Sequence, residues 1–214
     1  MSGTPERPIG PYARGPASVR PWDPRSAAIA ERVIAIIHRA RPDLVVEHIG
    51  SSAVPGLPGK GIIDLGTEAD PADIPAITEA MYALGFGPQA GPDAWPPTRP
   101  MHVGSIQDGG VTYRIHFHVH PRGTADLEKD LRFRDALRAD PSLRDGYAQV
   151  KWQIVGPDGV AADRMQYQAE KGDWILAAFD RLGIPRPANN QFANVAAGEV
   201  PVDAPADEHT GGAP

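Results

Sequence analysis

Apolar residues recur every three to four positions in parts of the chain, and this period predicts amphipathic helices. Between residues 24 and 40, four aliphatic side chains share one face, which would pack on a sheet. Residues 73–84 repeat the period, and Gly85 follows at a position where helices commonly end. We also expect helices over residues 124–139, 142–155 and 162–182.

Shorter apolar runs, typical of strands, lie between these helices. Residues 44–49 and 61–67 are predicted to form two strands, and residues 101–106 and 111–119 to form a hairpin. In the second arm of the hairpin, histidines fall on one face while aliphatic and aromatic residues fall on the other. Residues 87–100 contain five prolines, so we expect an irregular loop of the kind that often covers a site. This succession of elements predicts a single α/β (α+β) domain.

The two ends of the chain differ from its centre in composition. Residues 1–20 are rich in Pro, Gly and Ser, and their apolar residues are too scattered to be buried. Residues 187–214 carry four acidic residues and no Lys or Arg. We therefore expect a flexible segment over residues 1–20, a folded domain over 21–186 and a disordered acidic tail over 187–214.

The composition of the 214-residue chain argues against several classes of protein. It contains no cysteine, which excludes disulfides, thiolate metal sites and cysteine nucleophiles. Its formal net charge of −6 argues against a general affinity for nucleic acid. No apolar run approaches the ~20 residues of a membrane helix, and the N-terminus lacks the apolar region of a secretory signal. We therefore expect a cytoplasmic protein without a membrane span.

A glycine-serine turn between the first two predicted strands is a candidate anion site. Gly50, Ser51 and Ser52 follow a strand, so backbone N–H groups and two hydroxyls are available there to hold a phosphate. The alternative is a tight turn whose hydroxyls cap the following segment. Three bases are expected to face an anionic ligand: Lys60, Arg99 and Arg114.

Asp64 lies inside an apolar strand, where an unpaired carboxylate would be destabilising. Two interpretations remain open at this position. The carboxylate could form a salt bridge with Arg114 or Lys60. It could instead be a ligand for Mg²⁺, because perturbed carboxylates are often active-site groups.

The histidines of the last predicted strand favour a different metal. His116 and His118 are two residues apart, so their side chains lie about 6 to 7 Å apart on one face and could hold one ion between them. Together with Asp64 they would form a site of two imidazoles and one carboxylate, which suits Zn²⁺ or another transition metal better than Mg²⁺. The alternative is that these histidines line a solvated groove.

Four longer motifs occur in the order HIGSSAVPGLPGKGIID (48–64), IHFHV (115–119), LRFRDALRADPSLRDGYAQVK (131–151) and YQAEKGDWI (167–175). As a set they resemble the GrpB family, which belongs to the nucleotidyltransferase superfamily with the polymerase-beta-like fold. The resemblance covers nearly all of residues 25–182. It implies a nucleotidyltransferase-like mixed β-sheet with helices on one side, and an open face that holds the Gly-Ser turn and Asp64.

The resemblance also implies a metal site that this sequence matches only in part. In the superfamily, two carboxylates two residues apart on the second strand and a third on a later strand hold two metal ions. Asp64 matches the first carboxylate, whereas Gly66 stands at the position of the second. His116 and His118 stand where the later carboxylate would be.

The resemblance therefore implies a protein that binds a nucleotide or another phosphorylated small molecule, with metal-dependent nucleotidyl transfer as its reaction. Asp64, His116 and His118 would be the catalytic and metal-binding residues, and the Gly-Ser turn would hold the triphosphate. Tyr167 and Lys171, one turn apart on the last predicted helix, match the family's pattern and would reach the groove. Two alternatives remain: a binding module without transfer chemistry, and a protein with a His/Asp transition-metal site.

Overall fold

The computed structural model describes residues 7–16, 18–89, 94–162 and 164–186. Within these ranges the protein is a mixed five-stranded sheet flanked by five helices, which confirms the predicted class of fold. The predicted acidic tail over 187–214 lies outside the described residues, as do residues 1–6 of the predicted N-terminal segment. None of the helices in the described ranges is both long and apolar enough to cross a membrane.

The strands of the sheet are β1 (Glu47–Ile49), β2 (Ile62–Ala69), β3 (Gly87–Pro88), β4 (Met101–Asp108) and β5 (Val111–Pro121). Their order across the sheet is β1-β2-β5-β4-β3. The central strands β2 and β5 are parallel, and the other neighbouring strands are antiparallel. In this register Asp64 pairs with His116 and Gly66 with His118, so the candidate metal ligands lie at the centre of the sheet.

Helices α1 (Ser26–Ala40) and α2 (Ile74–Leu84) pack on one face of the sheet, as their apolar spacing predicts. The cap of α2 is Gly85, as predicted, and its N–H donates to carbonyls of the last turn. Gly85 has a φ of 107°, a conformation that residues with a side chain rarely adopt.

The core lies between these two helices and the sheet. Alternate residues of β5, namely Ile115, Phe117 and Val119, point into it and are 0% exposed. Burying side chains of this size stabilises the fold by ~1.5 to 3 kcal/mol each. Because strand side chains alternate, the intervening histidines must face the opposite side of the sheet.

Helices α3 (Asp126–Ala139), α4 (Pro141–Ile154) and α5 (Arg164–Leu182) form a second layer with an apolar core of its own. The carboxylate of Asp140 caps α4 by accepting hydrogen bonds from its first N–H groups. Helix α3 contacts β1 and β2. The resemblance implies helices on one side of the sheet only, whereas α3 lies over β1 and β2 on the second face, and a cleft remains between this layer and the sheet.

The chain before α1 packs against the rest of the domain. Ile9 and Val19 are only 2% and 4% exposed. The backbone of Gly10 forms a bridge with Ser105, and the backbone of Arg20 forms one with Gly59. Our expectation that the apolar residues of this segment are too scattered to be buried is therefore wrong for Ile9 and Val19. Isolated apolar side chains become buried here because backbone hydrogen bonds hold the segment against the domain.

The proline-rich stretch that we expected to be irregular contains the two-residue strand β3, which pairs with Val103 and His102 of β4. β3 is at the edge of the sheet, where a proline removes no hydrogen bond from a neighbouring strand.

Candidate functional site

A cleft of about 370 Å³ lies between the polar face of the sheet and the layer formed by α3, α4 and α5. Ten of the predicted site residues line it: Gly50, Ser51, Ser52, Lys60, Asp64, Arg99, His116, His118, Tyr167 and Lys171. The eleventh, Arg114, is not among the lining residues. The structure therefore brings nearly all of the predicted residues to one place, while their roles in binding and catalysis stay predictions.

The charged side chains that line the cleft are mostly basic. Seven are Lys or Arg, and three are Asp: Arg20, Lys60, Arg99, Lys129, Arg134, Lys151, Lys171, Asp23, Asp64 and Asp130. Three of these bases are paired with acidic side chains: Arg99 with Asp126, Lys129 with Asp126 and Asp130, and Arg134 with Glu47 and Asp135. The positive charge available to attract an anion is therefore smaller than the count alone indicates.

The Gly-Ser turn and Asp64 are in direct contact. Gly50 has a φ of 70°. A Cβ placed on Gly50 would lie 2.6 Å from Oδ2 of Asp64, which is closer than such atoms can approach. Only glycine therefore allows the turn and the carboxylate to lie side by side, which explains why the sequence has glycine at this position.

Asp64 faces two histidines of the neighbouring strand. Its Oδ1 lies 3.3 Å from Nδ1 of His116 and 3.8 Å from Nε2 of His118. One oxygen and two nitrogens from these residues all lie within 4.8 Å of one another. Among the described residues this is the one group of three or more acidic or histidine side chains with metal-ligand spacing. The convergence that the sequence predicts is therefore present.

Electrostatics keeps the carboxylate ionised. Burial alone would raise the pKa of Asp64, but its close contacts with His116 and His118 outweigh burial and hold this pKa well below its usual range. Burial lowers the pKa of His116, although its bond to Asp64 opposes that change. Arg114, one of the two predicted salt-bridge partners of Asp64, instead donates to the carbonyl of Lys60 at 2.7 Å. The structure therefore does not support Arg114 as a partner of Asp64.

Tyr12 is a residue of the site that sequence reasoning missed. Its hydroxyl lies 2.9 Å from Nε2 of His116, so it binds the ring nitrogen that does not face Asp64. The tyrosine belongs to the N-terminal segment and is 104 positions away from the histidine along the chain. No local pattern around Tyr12 indicates this contact.

Lys151 is the second residue that sequence reasoning missed. Lysine is rarely buried, but Lys151 is only 1% exposed. Its Nζ donates to Ser51 Oγ at 2.6 Å and to the Pro58 carbonyl at 2.8 Å. Burial, followed by the charge of Lys171, lowers the pKa of Lys151 well below its ordinary value. A signal was available, because Lys151 continues the buried stripe of Leu143 and Tyr147 at a spacing of four residues.

The two serines of the turn differ in their partners. Ser51 accepts a hydrogen bond from Lys151, which leaves its hydroxyl hydrogen for another acceptor. Ser52 is 7% exposed, and its Oγ lies 3.0 Å from Nε2 of His48. Ser51 is therefore the better candidate for contact with a ligand, whereas Ser52 stabilises the turn.

Tyr167 and Lys171 of α5 reach the cleft as the resemblance implies. Burial raises the pKa of the Tyr167 hydroxyl to about 12. Burial, followed by the charge of Lys60, lowers the pKa of Lys171 to about 7. The charged form of Lys171 is thus destabilised mainly by the loss of contact with water.

Arg99 is held in the cleft by an acidic and an aromatic side chain. It forms an ion pair with Asp126 at 3.0 Å and lies over the ring of Trp95, with 4.2 Å between its guanidinium carbon and the ring centroid. Trp95 in turn contacts the edge of His118. These contacts fix Arg99 beside the histidines.

Comparison with known proteins identifies relatives. A family model described as GrpB protein matches residues 16–181. A UPF0157 protein of Halalkalibacterium halodurans is 35% identical over 136 residues, or 62% of this chain and 66% of the relative. A UPF0157 protein of Streptomyces coelicolor is 34% identical over 145 residues, or 67% of this chain and 72% of the relative. The chain thus spans about two thirds of the length of these curated relatives.

A solved structure supports the fold. The crystal structure of conserved protein GrpB from Enterococcus faecalis superposes on this chain with a TM-score of 0.58 and 20% sequence identity. The superposition covers 76% of this chain and 98% of the other.

Proposed function

Because the chain belongs to the GrpB family, we propose that it is a nucleotidyltransferase-like protein that binds a nucleotide or another phosphorylated small molecule in the cleft. One observation carries the proposal: the Gly50–Ser52 turn lines the same cleft as Lys60, Lys151 and Lys171. A phosphate group is the common biological anion that suits such a site.

The lysines beside the turn favour phosphate as the ligand. Burial is the largest cause of the lowered pKa values of Lys151 and Lys171, and the charge of Lys60 lowers both of them further. A phosphate dianion bound among them would relieve this repulsion. The hydroxyl hydrogen of Ser51 and the backbone N–H groups of the turn would then donate to its oxygens.

Aromatic side chains in the same cleft suit the remainder of such a molecule. Seven Phe, Trp and Tyr residues line it: Trp22, Trp95, Tyr113, Phe133, Tyr147, Tyr167 and Phe179. Aromatic rings stack on planar groups such as nucleobases and provide apolar contact area. A ligand with a charged end and a planar end therefore suits the cleft better than inorganic phosphate alone.

A second candidate function is a binding module without transfer chemistry, and Gly66 favours it. A Cβ at Gly66 would lie 2.8 Å from Cδ1 of Leu127 and 3.1 Å from Cδ1 of Ile49. The position of the superfamily's second carboxylate is therefore filled by neighbouring side chains. The residues present do not fit the paired-carboxylate site for Mg²⁺ that the superfamily implies, so we derive no catalytic step through such a site.

Calorimetry with each of the four ribonucleoside triphosphates, and with adenosine as the ligand without phosphate, tests binding. We expect at least one triphosphate to bind ten or more times as tightly as adenosine. Lys171→Met should weaken that binding about tenfold, or ~1.4 kcal/mol. The control Arg39→Met changes an exposed residue of α1 and should leave it unchanged. Equal affinities for triphosphate and adenosine, or an unaffected Lys171→Met variant, would contradict the proposal.

Radiolabelled triphosphate then separates the two candidate functions. Release of pyrophosphate, with the labelled nucleotide transferred to an acceptor from a cell extract, would support nucleotidyl transfer. Tight binding without any pyrophosphate release would support the binding module.

A further inference from the structure

Three donor atoms at the centre of the cleft face lie within 4.8 Å of one another, and two of the three pairs have separations close to those of ligands around one small metal ion. With metal–ligand bonds of about 2.1 Å and tetrahedral angles, two ligand atoms are separated by ~3.4 Å. The Asp64 oxygen lies 3.3 Å from the His116 nitrogen and 3.8 Å from the His118 nitrogen. Shifts of a few tenths of an ångström would therefore bring these two pairs to the ideal separation.

The surroundings hold the two imidazoles in place. Tyr12 binds Nε2 of His116, which leaves Nδ1 directed towards Asp64. A hydrogen bond to the second ring nitrogen commonly orients histidine ligands of metals. The His118 ring stacks on His120, with ring centroids 6.1 Å apart and planes 10° apart, and it meets the edge of Trp95. Both rings are thus positioned by contacts that do not involve Asp64.

The chemistry of the donors indicates which ions are suitable. Mg²⁺ prefers oxygen ligands, usually carboxylates and water, whereas neutral imidazole favours Zn²⁺ and its neighbours in the first transition series. This group offers two imidazole nitrogens and one carboxylate. Gly66 leaves no space for a second carboxylate beside them.

We propose that Asp64, His116 and His118 bind one divalent transition-metal ion, such as Zn²⁺, through two imidazoles and one carboxylate. All three side chains line the cleft, so the remaining coordination positions face the space where a ligand would enter. Tyr12 is a positioning residue, because it acts through His116. The metal site does not depend on nucleotide binding.

Metal titration without nucleotide tests this proposal separately from the proposed function. Protein expressed without a His tag is stripped with a chelator and titrated by calorimetry with Zn²⁺ and, separately, with Mg²⁺. We expect one Zn²⁺ per chain, bound at least a hundredfold more tightly than Mg²⁺. His118→Ala and Asp64→Asn should each weaken Zn²⁺ binding at least tenfold, and Tyr12→Phe about tenfold. His38→Gln, a histidine of α1 on the other side of the sheet, should not change it.

Two results would overturn the proposal. One is an affinity for Zn²⁺ no greater than that for Mg²⁺, and the other is Zn²⁺ binding that His118→Ala leaves intact. If a variant fails to fold, the visible spectrum of the Co²⁺-substituted wild-type protein tests the metal site instead. Intense absorption bands of a four- or five-coordinate ion support the site, and the weak spectrum of six-coordinate hydrated Co²⁺ contradicts it. Nucleotide binding could fail in its own assay without altering any of these results.

Discussion

The two faces of strand β5 differ in how their side chains are partnered. On the side of α1 and α2, Phe117 is 0% exposed and meets other apolar side chains. On the cleft side, His120 is 1% exposed, yet neither ring nitrogen has a hydrogen-bond partner within the described residues. Oδ2 of Asp130 lies 3.9 Å from its Nε2, too far for a hydrogen bond.

The two faces of β5 therefore contribute differently to the stability of the fold. Burial lowers the pKa of His120 to about 2, so the ring is neutral, but a buried polar group without a partner still destabilises the fold. The face towards α1 and α2 therefore provides stability. On the face towards the cleft, His120 lacks hydrogen-bond partners among the described residues, whereas His116 contacts Tyr12 and Asp64.

Substitutions at two neighbouring positions of β5 give the largest expected contrast. Phe117→Ala should lower the free energy of unfolding by ~3 to 5 kcal/mol, because it leaves a cavity in the core. His118→Ala should lower it by less than ~1 kcal/mol, because this partly exposed ring fills no core space. Urea denaturation monitored by circular dichroism measures both. Similar decreases in the free energy of unfolding of the two variants would show that the two faces of β5 contribute equally to stability.

An aspartate at position 66 of β2 tests whether the sheet has space for the second carboxylate of the superfamily. Gly66→Asp should destabilise the protein by ~1 to 3 kcal/mol, because its Cβ would meet Leu127 and Ile49. Gly87→Asp is the matched control, since a Cβ at Gly87 meets nothing within 4 Å, and it should change stability by less than ~0.5 kcal/mol. Thermal unfolding compares the two. A Gly66→Asp variant as stable as wild type would mean that space for a second carboxylate exists.

The buried lysines of the cleft predict a smaller effect, on the pH dependence of stability. The pKa of Lys171 is about 7 in the folded state, below the ~10.4 of an unfolded lysine. Between these values the unfolded state binds more protons, so stability should rise as the pH increases from about 7.5 to 9.5. Lys171→Met should reduce this slope by up to ~1 kcal/mol per pH unit.

Lys151 contributes a slope of the same sign, so some pH dependence should remain in the Lys171→Met variant. Denaturant titrations at pH 7.5, 8.5 and 9.5 measure it. Stability that falls over this range in wild type would contradict the depressed pKa values.

Features set by neighbouring residues could be predicted from the sequence. The alternation of β5 separates His116 and His118 from Ile115 and Phe117, because strand side chains change face at every residue. Gly85 ends α2 because it adopts a conformation that few residues share. Gly50 lies close to Asp64 because it directly follows Ile49, which pairs with Asp64 in the antiparallel strands β1 and β2.

Features set by distant residues could not be predicted in this way. Tyr12 meets His116 across 104 positions, and Lys151 meets Ser51 across 100. Such contacts depend on how layers pack, and neither residue lies in a local motif that indicates its partner. The burial of Lys151 was predictable from its spacing on α4, but the identity of its partner was not.

The most direct test of the central claim is a crystal structure determined after soaking with the tightest-binding nucleoside triphosphate. We expect phosphate density in the cleft, with a phosphate oxygen about 3 Å from Ser51 Oγ or from Lys171 Nζ. Triphosphate density located only outside the cleft, or a cleft without density at saturating ligand, would contradict it.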